Sequence, residues 1–168
     1  MIVQIRVDDR LVHGQVALVW SKELNTNRII VANKHAVESD ALRMTLQMGT
    51  PVGQRLIVKD VPGACKIAND PRAADMRIFA LTNCVKDALE FVKGAPGQVE
   101  TVNVANVGRF DKSDPSKKVT LNSTIMLSPE ELEAAKKLCE LGVPVYHQLI
   151  PSDTKTPLKS LIEKAGNK

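Results

Sequence analysis

The first twenty residues read MIVQIRVDDRLVHGQVALVW, from Met1 to Trp20, and they hold an apolar run, a polar stretch and a second apolar run. Residues 1–7 are rich in β-branched side chains, which predicts a strand. Residues 15–24 are apolar on one side, which predicts a helix. The stretch between them, 8–14, contains two acids, an arginine, a histidine and a glycine. Polar residues crowded at a strand-to-helix junction indicate a functional loop.

The same alternation of strand-like and helix-like segments continues along the chain. Further strands are predicted at 28–32, 54–58, 77–81, 101–104 and 143–149, with one or two more within 119–127. Helices are predicted at 38–48, 61–69, 85–93, 129 to about 142, and 157–165. Asn83 and Ser128 are the expected N-caps of two of these helices. Such alternation indicates βαβ units. We therefore predict one doubly wound α/β domain over residues 1–168, with a mainly parallel central sheet and helices on both faces.

Three polar segments follow predicted strands. They are residues 8–14, Thr82 with Asn83, and the start of the loop at 105–118. In doubly wound folds, ligands bind outside the carboxyl ends of the strands. We therefore expect these three segments to line one crevice.

The composition argues against several classes of protein. The net charge of +4 is spread along the chain and aromatic residues make up only 3%, whereas a nucleic-acid surface favours a basic stripe with stacking aromatics. The three cysteines, Cys65, Cys84 and Cys139, are odd in number and lack CxxC spacing, so we expect reduced core residues in helices. The first residues do not resemble a signal peptide, and no apolar run is long enough to span a bilayer, which predicts a cytoplasmic protein.

His13 has the neighbours that a phosphate site requires. Arg10 offers a planar fork of donors, and Gly14 lets the backbone approach a bound group. The N–H groups of the helix that starts near Gln15 form an anion site. A neutral imidazole is a good phosphorus nucleophile, and phosphoryl transfer develops negative charge that Arg10 and these N–H groups could hold. An acid such as Asp9 could orient either Arg10 or the ring.

Several familiar signatures are absent from the sequence. It has no GxxxxGK[ST], GxGxxG, HExxH or GxSxG motif, so we expect no nucleotide, no other cofactor and no metal. Three functions remain consistent with the residues alone. The first is a phosphocarrier enzyme, the second is a phosphate- or sugar-phosphate-binding regulator without turnover, and the third is a metal-free phosphohydrolase that uses His13.

Residues 6–16, together with Trp20, resemble the phosphorylation-site segment of one protein family. This family comprises the enzyme IIB components of the mannose/fructose/sorbose type of the bacterial phosphoenolpyruvate-dependent sugar phosphotransferase system. Their segment reads roughly R-[IV]-D-D-R-L-[IV]-H-G-Q-V, followed by a tryptophan in the first helix. The likeness extends to the chain length, the order of strands and helices, Asn106-Val107-Gly108, and residues 148–151.

The resemblance implies a phosphocarrier that accepts a phosphoryl group from phospho-enzyme IIA and passes it to a sugar entering through the membrane components IIC and IID. His13 matches the phosphorylated histidine, which carries the group on Nδ1. Arg10 matches an arginine that grips the phosphoryl group, Asp9 its neighbouring acid, and Arg6 an arginine at the end of the first strand. The protein would then act at the inner face of the membrane. Mannose, fructose, sorbose and N-acetylgalactosamine all fit as sugars, and a homo-oligomer stays open.

The remaining phosphate-binding candidates lie at strand ends. They are the backbone N–H groups of Gly14 and Gln15, the hydroxyl of Thr82, and Asn106 with Gly108. One departure from the family pattern concerns the last of these segments. The family loop commonly reads N-[IV]-G-G-M, whereas Arg109-Phe110 stands here in place of Gly-Met, which we expect to alter the surface offered to a partner protein.

Overall fold

A computed structural model describes residues 1–167, in which seven strands form one central sheet. The strands of the chain are β1 (Ile2–Asp8), β2 (Arg28–Ala32), β3 (Arg55–Lys59), β4 (Ile78–Thr82), β5 (Val102–Asn106), β6 (Val119–Asn122), β7 (Ile125–Leu127), β8 (Val145–His147) and β9 (Thr156–Pro157). The sheet order is β3-β2-β4-β1-β5-β8-β9. All neighbours in it run parallel except β8 and β9, while β6 and β7 form a separate antiparallel hairpin.

Seven α-helices connect or flank these strands within the described residues. They are α1 (Gly14–Glu23), α2 (Lys34–Glu38), α3 (Asp40–Met48), α4 (Val61–Asn69), α5 (Val85–Gly94), α6 (Pro129–Cys139) and α7 (Leu158–Gly166). The helix predicted over 38–48 is confirmed as α3, but its predicted start is wrong, because Ser39 is extended and its side chain caps α3 at Asp40. The cap predicted for Ser128 is confirmed by its bond from the Glu131 N–H. Asn83 is not an N-cap, since Cys84 holds that position.

Both faces of the sheet are buried, as the alternation along β2 shows. Ile30 belongs to a large apolar cluster on one face, while Ile29 belongs to a smaller cluster on the other. Helices α4 to α7 contribute to the large cluster, for example through Phe91 of α5. Helices α1 to α3 cover the smaller one, for example through Trp20 of α1. Side chains of one strand pointing into two cores are typical of a parallel sheet with helices on both faces, and the predicted fold class is confirmed.

The three cysteines form no disulfide within residues 1–167. Cys65 is buried in α4, as expected, and Cys139 lies at the end of α6. The prediction of a helical position is wrong for Cys84, which precedes α5. Burial raises the pKa of the Cys84 thiol to about 12, so this sulfur is a poor nucleophile. None of the helices in residues 1–167 combines the length and apolar character needed to cross a bilayer.

Strand β1 lies in the middle of the sheet, between β4 and β5. Val7 pairs with Thr82 of β4, and Asp8 pairs with Asn106 of β5. The segments that follow these three strands therefore start side by side at one edge of the sheet. This confirms the expectation that the polar segments after β1, β4 and β5 are neighbours.

Candidate functional site

The loop from β1 to α1 is a tight turn held by its first residue. The Asp8 carbonyl accepts a bond from the Leu11 N–H at 2.9 Å, and the Asp8 Oδ1 atom accepts one from the Arg10 N–H at 3.1 Å. Leu11 adopts a φ of 57°, a left-handed conformation that is uncommon for a side chain of this size. Leu11 and Val12 are buried in the smaller core cluster. The apolar residues thus anchor the loop, while Arg10 and His13 remain accessible.

His13 is bonded to Asp8, the residue that ends β1. Its Nε2 atom lies 3.0 Å from Asp8 Oδ2, and 23% of the His13 side chain is exposed, whereas Asp8 is fully buried. Because a carboxylate only accepts hydrogen bonds, Nε2 is the protonated ring nitrogen. The Nδ1 atom has no hydrogen-bond partner among residues 1–167. Asp8 therefore fixes the orientation of the ring through Nε2 and leaves Nδ1 available to a reactant.

Besides His13 and the Arg10 backbone N–H, two further side chains contact the Asp8 carboxylate. Oδ2 also faces Asn106 Nδ2 at 3.3 Å and a terminal nitrogen of Arg6 at 3.5 Å. Burial raises the pKa of the Asp8 carboxyl, but the hydrogen bonds from His13 and from the Arg10 backbone, together with the charge of Arg6, outweigh this effect. The pKa of Asp8 therefore lies below its usual value, and the carboxylate stays ionised at neutral pH.

Arg6 lies behind Asp8 and is only 1% exposed. Its guanidinium stacks on the Trp20 ring at 5.4 Å from the centroid, and it donates to the Gln148 and Leu149 carbonyls at 3.4 and 3.3 Å. The Trp20 indole N–H donates to the same Leu149 carbonyl at 3.0 Å. The structure thus places Arg6 under the loop, where it contacts Asp8 rather than the surface on which a phosphoryl group would sit.

The amino terminus of α1 is open. His13 occupies the N-cap position with extended backbone angles, and no side chain within residues 1–167 caps this helix. Gly14 and Gln15, which begin the helix, are exposed. Arg10 is exposed too, and its guanidinium forms no hydrogen bond or ion pair with any residue that the structure describes. Backbone N–H groups and a free guanidinium therefore flank His13, the combination that binds a phosphate.

The other predicted phosphate ligands are differently placed. Thr82 is buried, and its hydroxyl donates to the Cys84 carbonyl at 3.1 Å. Asn106 joins the site through Asp8. Gly108 has a φ of 99°, and a Cβ atom there would lie 1.7 Å from the Met126 carbonyl oxygen. Asn106 is thus linked to the His13 ring through one residue, whereas the contacts of Thr82 and Gly108 are structural.

Asp9 faces away from the ring and toward Arg109. Asp9 Oδ2 lies 3.4 Å from the Arg109 backbone nitrogen and 3.8 Å from its Nε atom. The sequence predicts that Asp9 orients Arg10 or the ring and that Arg109 alters the partner surface, whereas in the structure Asp9 pairs with Arg109. The residue on the ring is Asp8, which the period-two geometry of a strand places on the same side as Arg6. The two-residue spacing between Arg6 and Asp8 is the sequence feature that could have identified Asp8 as the partner of the ring.

Cavity size does not single out this loop. A crevice of about 360 Å³ adjoins it and is lined by Asp9, Asn83, Gly108 and Phe110, among others. A larger cavity of about 810 Å³ lies where β2 and β4 begin, next to Arg28 and Arg77. The chemistry of His13, rather than the volume of a cavity, identifies the candidate site.

Comparisons with known proteins identify the family to which the chain belongs. Residues 2–168 match the family described as the sorbose subfamily IIB component of the phosphotransferase system. The chain is 52% identical to a probable phosphotransferase enzyme IIB component of Streptococcus pyogenes serotype M6, over 96% of this chain and 99% of that one. It is 33% identical to the mannose-specific EIIAB component of Escherichia coli K12, over 95% of this chain and 47% of that one. The crystal structure of the IIBSor domain of the sorbose permease from Klebsiella pneumoniae superposes with a TM-score of 0.87 at 29% identity, over 98% and 97% of the two chains.

Proposed function

Because the chain belongs to the sorbose subfamily of IIB components of the phosphotransferase system, we propose that it is a phosphocarrier enzyme whose carrier residue is His13. Phospho-enzyme IIA is the donor, and the acceptor is a hexose-type sugar that enters through the membrane components IIC and IID. The observation that carries this proposal is the 3.0 Å bond between Asp8 and Nε2 of His13, which leaves Nδ1 as the nucleophile.

The first transfer forms a bond between Nδ1 and phosphorus while the nitrogen–phosphorus bond of the donor histidine breaks. The ring then carries a positive charge and keeps its proton on Nε2, where Asp8 accepts the hydrogen bond. In the second transfer a sugar hydroxyl oxygen bonds to phosphorus and its proton is released. The Nδ1–phosphorus bond breaks, and the ring returns to its neutral form. Asp8 thus stabilises the ring during both steps.

Two groups of donors are available for the charge on the transferring phosphoryl group. The guanidinium of Arg10 is free and exposed, and the backbone N–H groups of Gly14 and Gln15 begin an uncapped helix. The helix fixes the backbone N–H groups before the reaction, so they stabilise the transition state without reorganising, and the free Arg10 side chain can turn toward the phosphoryl group. Arg6 contributes by fixing Asp8, because its side chain is buried against Trp20.

The similar proteins support the proposed partners. The mannose-specific relative is an EIIAB component, of which this chain matches 47%; this favours an enzyme IIA as the donor. The relatives are named for different sugars, sorbose and mannose, although they share this fold. We therefore infer that the membrane components select the sugar, and that this protein works at the cytoplasmic face of the membrane.

The experiment is a phosphorylation assay read by intact-protein mass spectrometry. The protein is incubated with phosphoenolpyruvate, enzyme I, the histidine carrier protein and a mannose-type IIA. We expect one acid-labile phosphate on the wild type and on His35→Ala, whose histidine is exposed and outside the site, and none on His13→Ala. A phosphate retained by His13→Ala would refute His13 as the carrier.

The same samples separate the alternative functions. A phosphate-binding regulator would bind its ligand without a covalent phosphate. A phosphohydrolase would release inorganic phosphate in the absence of sugar and membrane components. Either result with an active IIA would replace the phosphocarrier proposal.

A further inference from the structure

We propose that Arg109 is a positioning residue for phosphoryl transfer, which acts on His13 through Asn106 and Asp8 and which neutralises Asp9 beside the phosphoryl site. This inference rests on the proposed function. It concerns the position at which this chain carries Arg in place of the glycine of the family pattern.

The first step is the chain of hydrogen bonds that leads from Arg109 to the ring. A terminal nitrogen of Arg109 lies 3.5 Å from Asn106 Oδ1, Asn106 Nδ2 lies 3.3 Å from Asp8 Oδ2, and Asp8 holds His13. A guanidinium is a donor only, and a carboxylate is an acceptor only. Arg109 and Asp8 therefore fix the orientation of the Asn106 amide from its two ends. Without Arg109, the amide loses the contact that holds its oxygen away from Asp8.

The second step concerns the charge of Asp9. Its side chain is 6% exposed, and Arg109 is its ion-pair partner among the described residues. The Asp9 Oδ1 atom is buried and has no hydrogen-bond partner within residues 1–167. Burial raises the pKa of this carboxyl, an effect that the backbone bond and the charge of Arg109 oppose. While Asp9 is ionised, its charge repels a phosphoryl dianion on the adjacent loop unless Arg109 offsets that charge.

The third step is the construction of the loop that presents Arg109. Gly108 approaches the Met126 carbonyl so closely that a side chain has no room there. The Lys118 ammonium group donates to the Gly108 carbonyl at 2.6 Å and pairs with Asp111, although its side chain is only 8% exposed. A glycine and a buried lysine thus fix the backbone directly before Arg109. An arginine that only contacts solvent would not require the preceding backbone to be held in this way.

The test compares the rates at which phospho-IIA phosphorylates four proteins: wild type, Arg109→Ala, Arg109→Lys, and the double variant Arg109→Ala with Asp9→Asn. We expect Arg109→Ala to be slower by about tenfold, the usual effect of leaving a charged hydrogen-bonding group unpaired. Arg109→Lys should recover part of the loss, because it restores the charge. The double variant should be faster than Arg109→Ala alone, because the unpaired carboxylate is gone. Wild-type rates in Arg109→Ala, or a double variant that is no faster than Arg109→Ala, would overturn the inference.

A second measurement does not depend on a phosphoryl donor. Nitrogen NMR of the His13 ring reports which nitrogen carries the proton. We expect the Nε2–H form in the wild type and a mixture of forms in Arg109→Ala, with unchanged thermal unfolding. An unchanged ring spectrum in Arg109→Ala would contradict the connection through Asn106. Failure of wild type to accept phosphate would refute the proposed function instead, and the NMR result would still decide the role of Arg109.

Discussion

Two junctions between a strand and a helix lie side by side at the carboxyl edge of the sheet, and they treat the helix terminus in opposite ways. At the junction of β4 and α5, the Glu131 carboxylate of α6 accepts bonds from the Val85 and Lys86 N–H groups at 2.7 and 2.8 Å. At the junction of β1 and α1, no side chain of residues 1–167 accepts a hydrogen bond from the first N–H groups of the helix. One terminus is closed by the protein itself, and the other is open beside His13.

The difference shows where stability and function separate in this fold. Four other helices are capped by their own N-cap side chains, which are Asn33, Ser39, Asp60 and Ser128. An N-cap side chain contributes about 0.5–2 kcal/mol to helix stability. Helix α1 lacks this contribution. Glu131 places a negative group where an anion would otherwise bind α5. Helix α7 also lacks a side-chain cap, but the open terminus of α1 lies beside His13, where the proposed phosphoryl group would supply the missing negative charge.

The largest effect should come from Asp8→Asn at the open junction. The amide can donate to Nε2, which moves the ring proton to Nδ1 and removes the nucleophilic lone pair. We expect phosphorylation by phospho-IIA to fall by at least about 10²-fold, with His13 still present. Initial rates measured by rapid quench would show the change. Asp75→Asn, which changes an exposed acid before the start of β4 and outside the site loops, provides the matched control. A loss of less than threefold in Asp8→Asn would remove Asp8 from the mechanism.

The closed junction should respond in stability rather than in transfer. Glu131→Gln keeps the shape of the side chain but removes its charge and one of its two acceptors. We expect the free energy of unfolding to fall by about 1–2 kcal/mol, measured by urea denaturation. Exposed Glu130→Gln in the same helical turn should change it by much less. If Glu131→Gln also slowed phosphoryl transfer markedly, the closed junction would take part in transfer and the comparison would fail.

The smallest effect should come from partly closing the open junction. Gln15→Glu puts a carboxylate in the first turn of α1, where it interacts favourably with the helix dipole. We expect a stability gain of about 0.3–1 kcal/mol and a fall in transfer rate of about two- to fivefold. Gln15→Ala, which adds no charge, should change neither quantity in this way. Thermal unfolding measures the change in stability, and initial rates measure the change in transfer. A variant that is both more stable and faster would contradict the comparison.

The open junction was largely predictable from sequence, whereas the closed one was not. His13, Arg10 and the start of α1 lie within one short segment, so their proximity follows from the chain itself. Glu131 lies 46 residues from Val85, and only the packing of α6 on α5 brings them together. The sequence predicts that the adjacent Asn83 caps α5, whereas in the structure the distant Glu131 bonds the first N–H groups of that helix.

Asp8 and Asp9 show a second limit of sequence reasoning. The two residues are identical and adjacent, and the strand predicted at 1–7 stopped before both of them. The structure extends β1 through Asp8, and side chains of a strand alternate. Asp8 therefore lies on the side of Arg6, whereas Asp9 lies outside the strand and meets Arg109. A shift of one residue at a strand end decided which acid reaches the ring.

The contacts of Arg6 under the loop also have a consequence for protein synthesis. Arg6 and the Gln148 carbonyl that it bonds are 142 positions apart, and Asn103 also bonds Gln148. The segment with His13 leaves the ribosome well before the residues that support it from below. A nascent chain that stops before Gln148 contains His13 but lacks these supporting contacts. Completion of the candidate site therefore requires translation to proceed through Gln148.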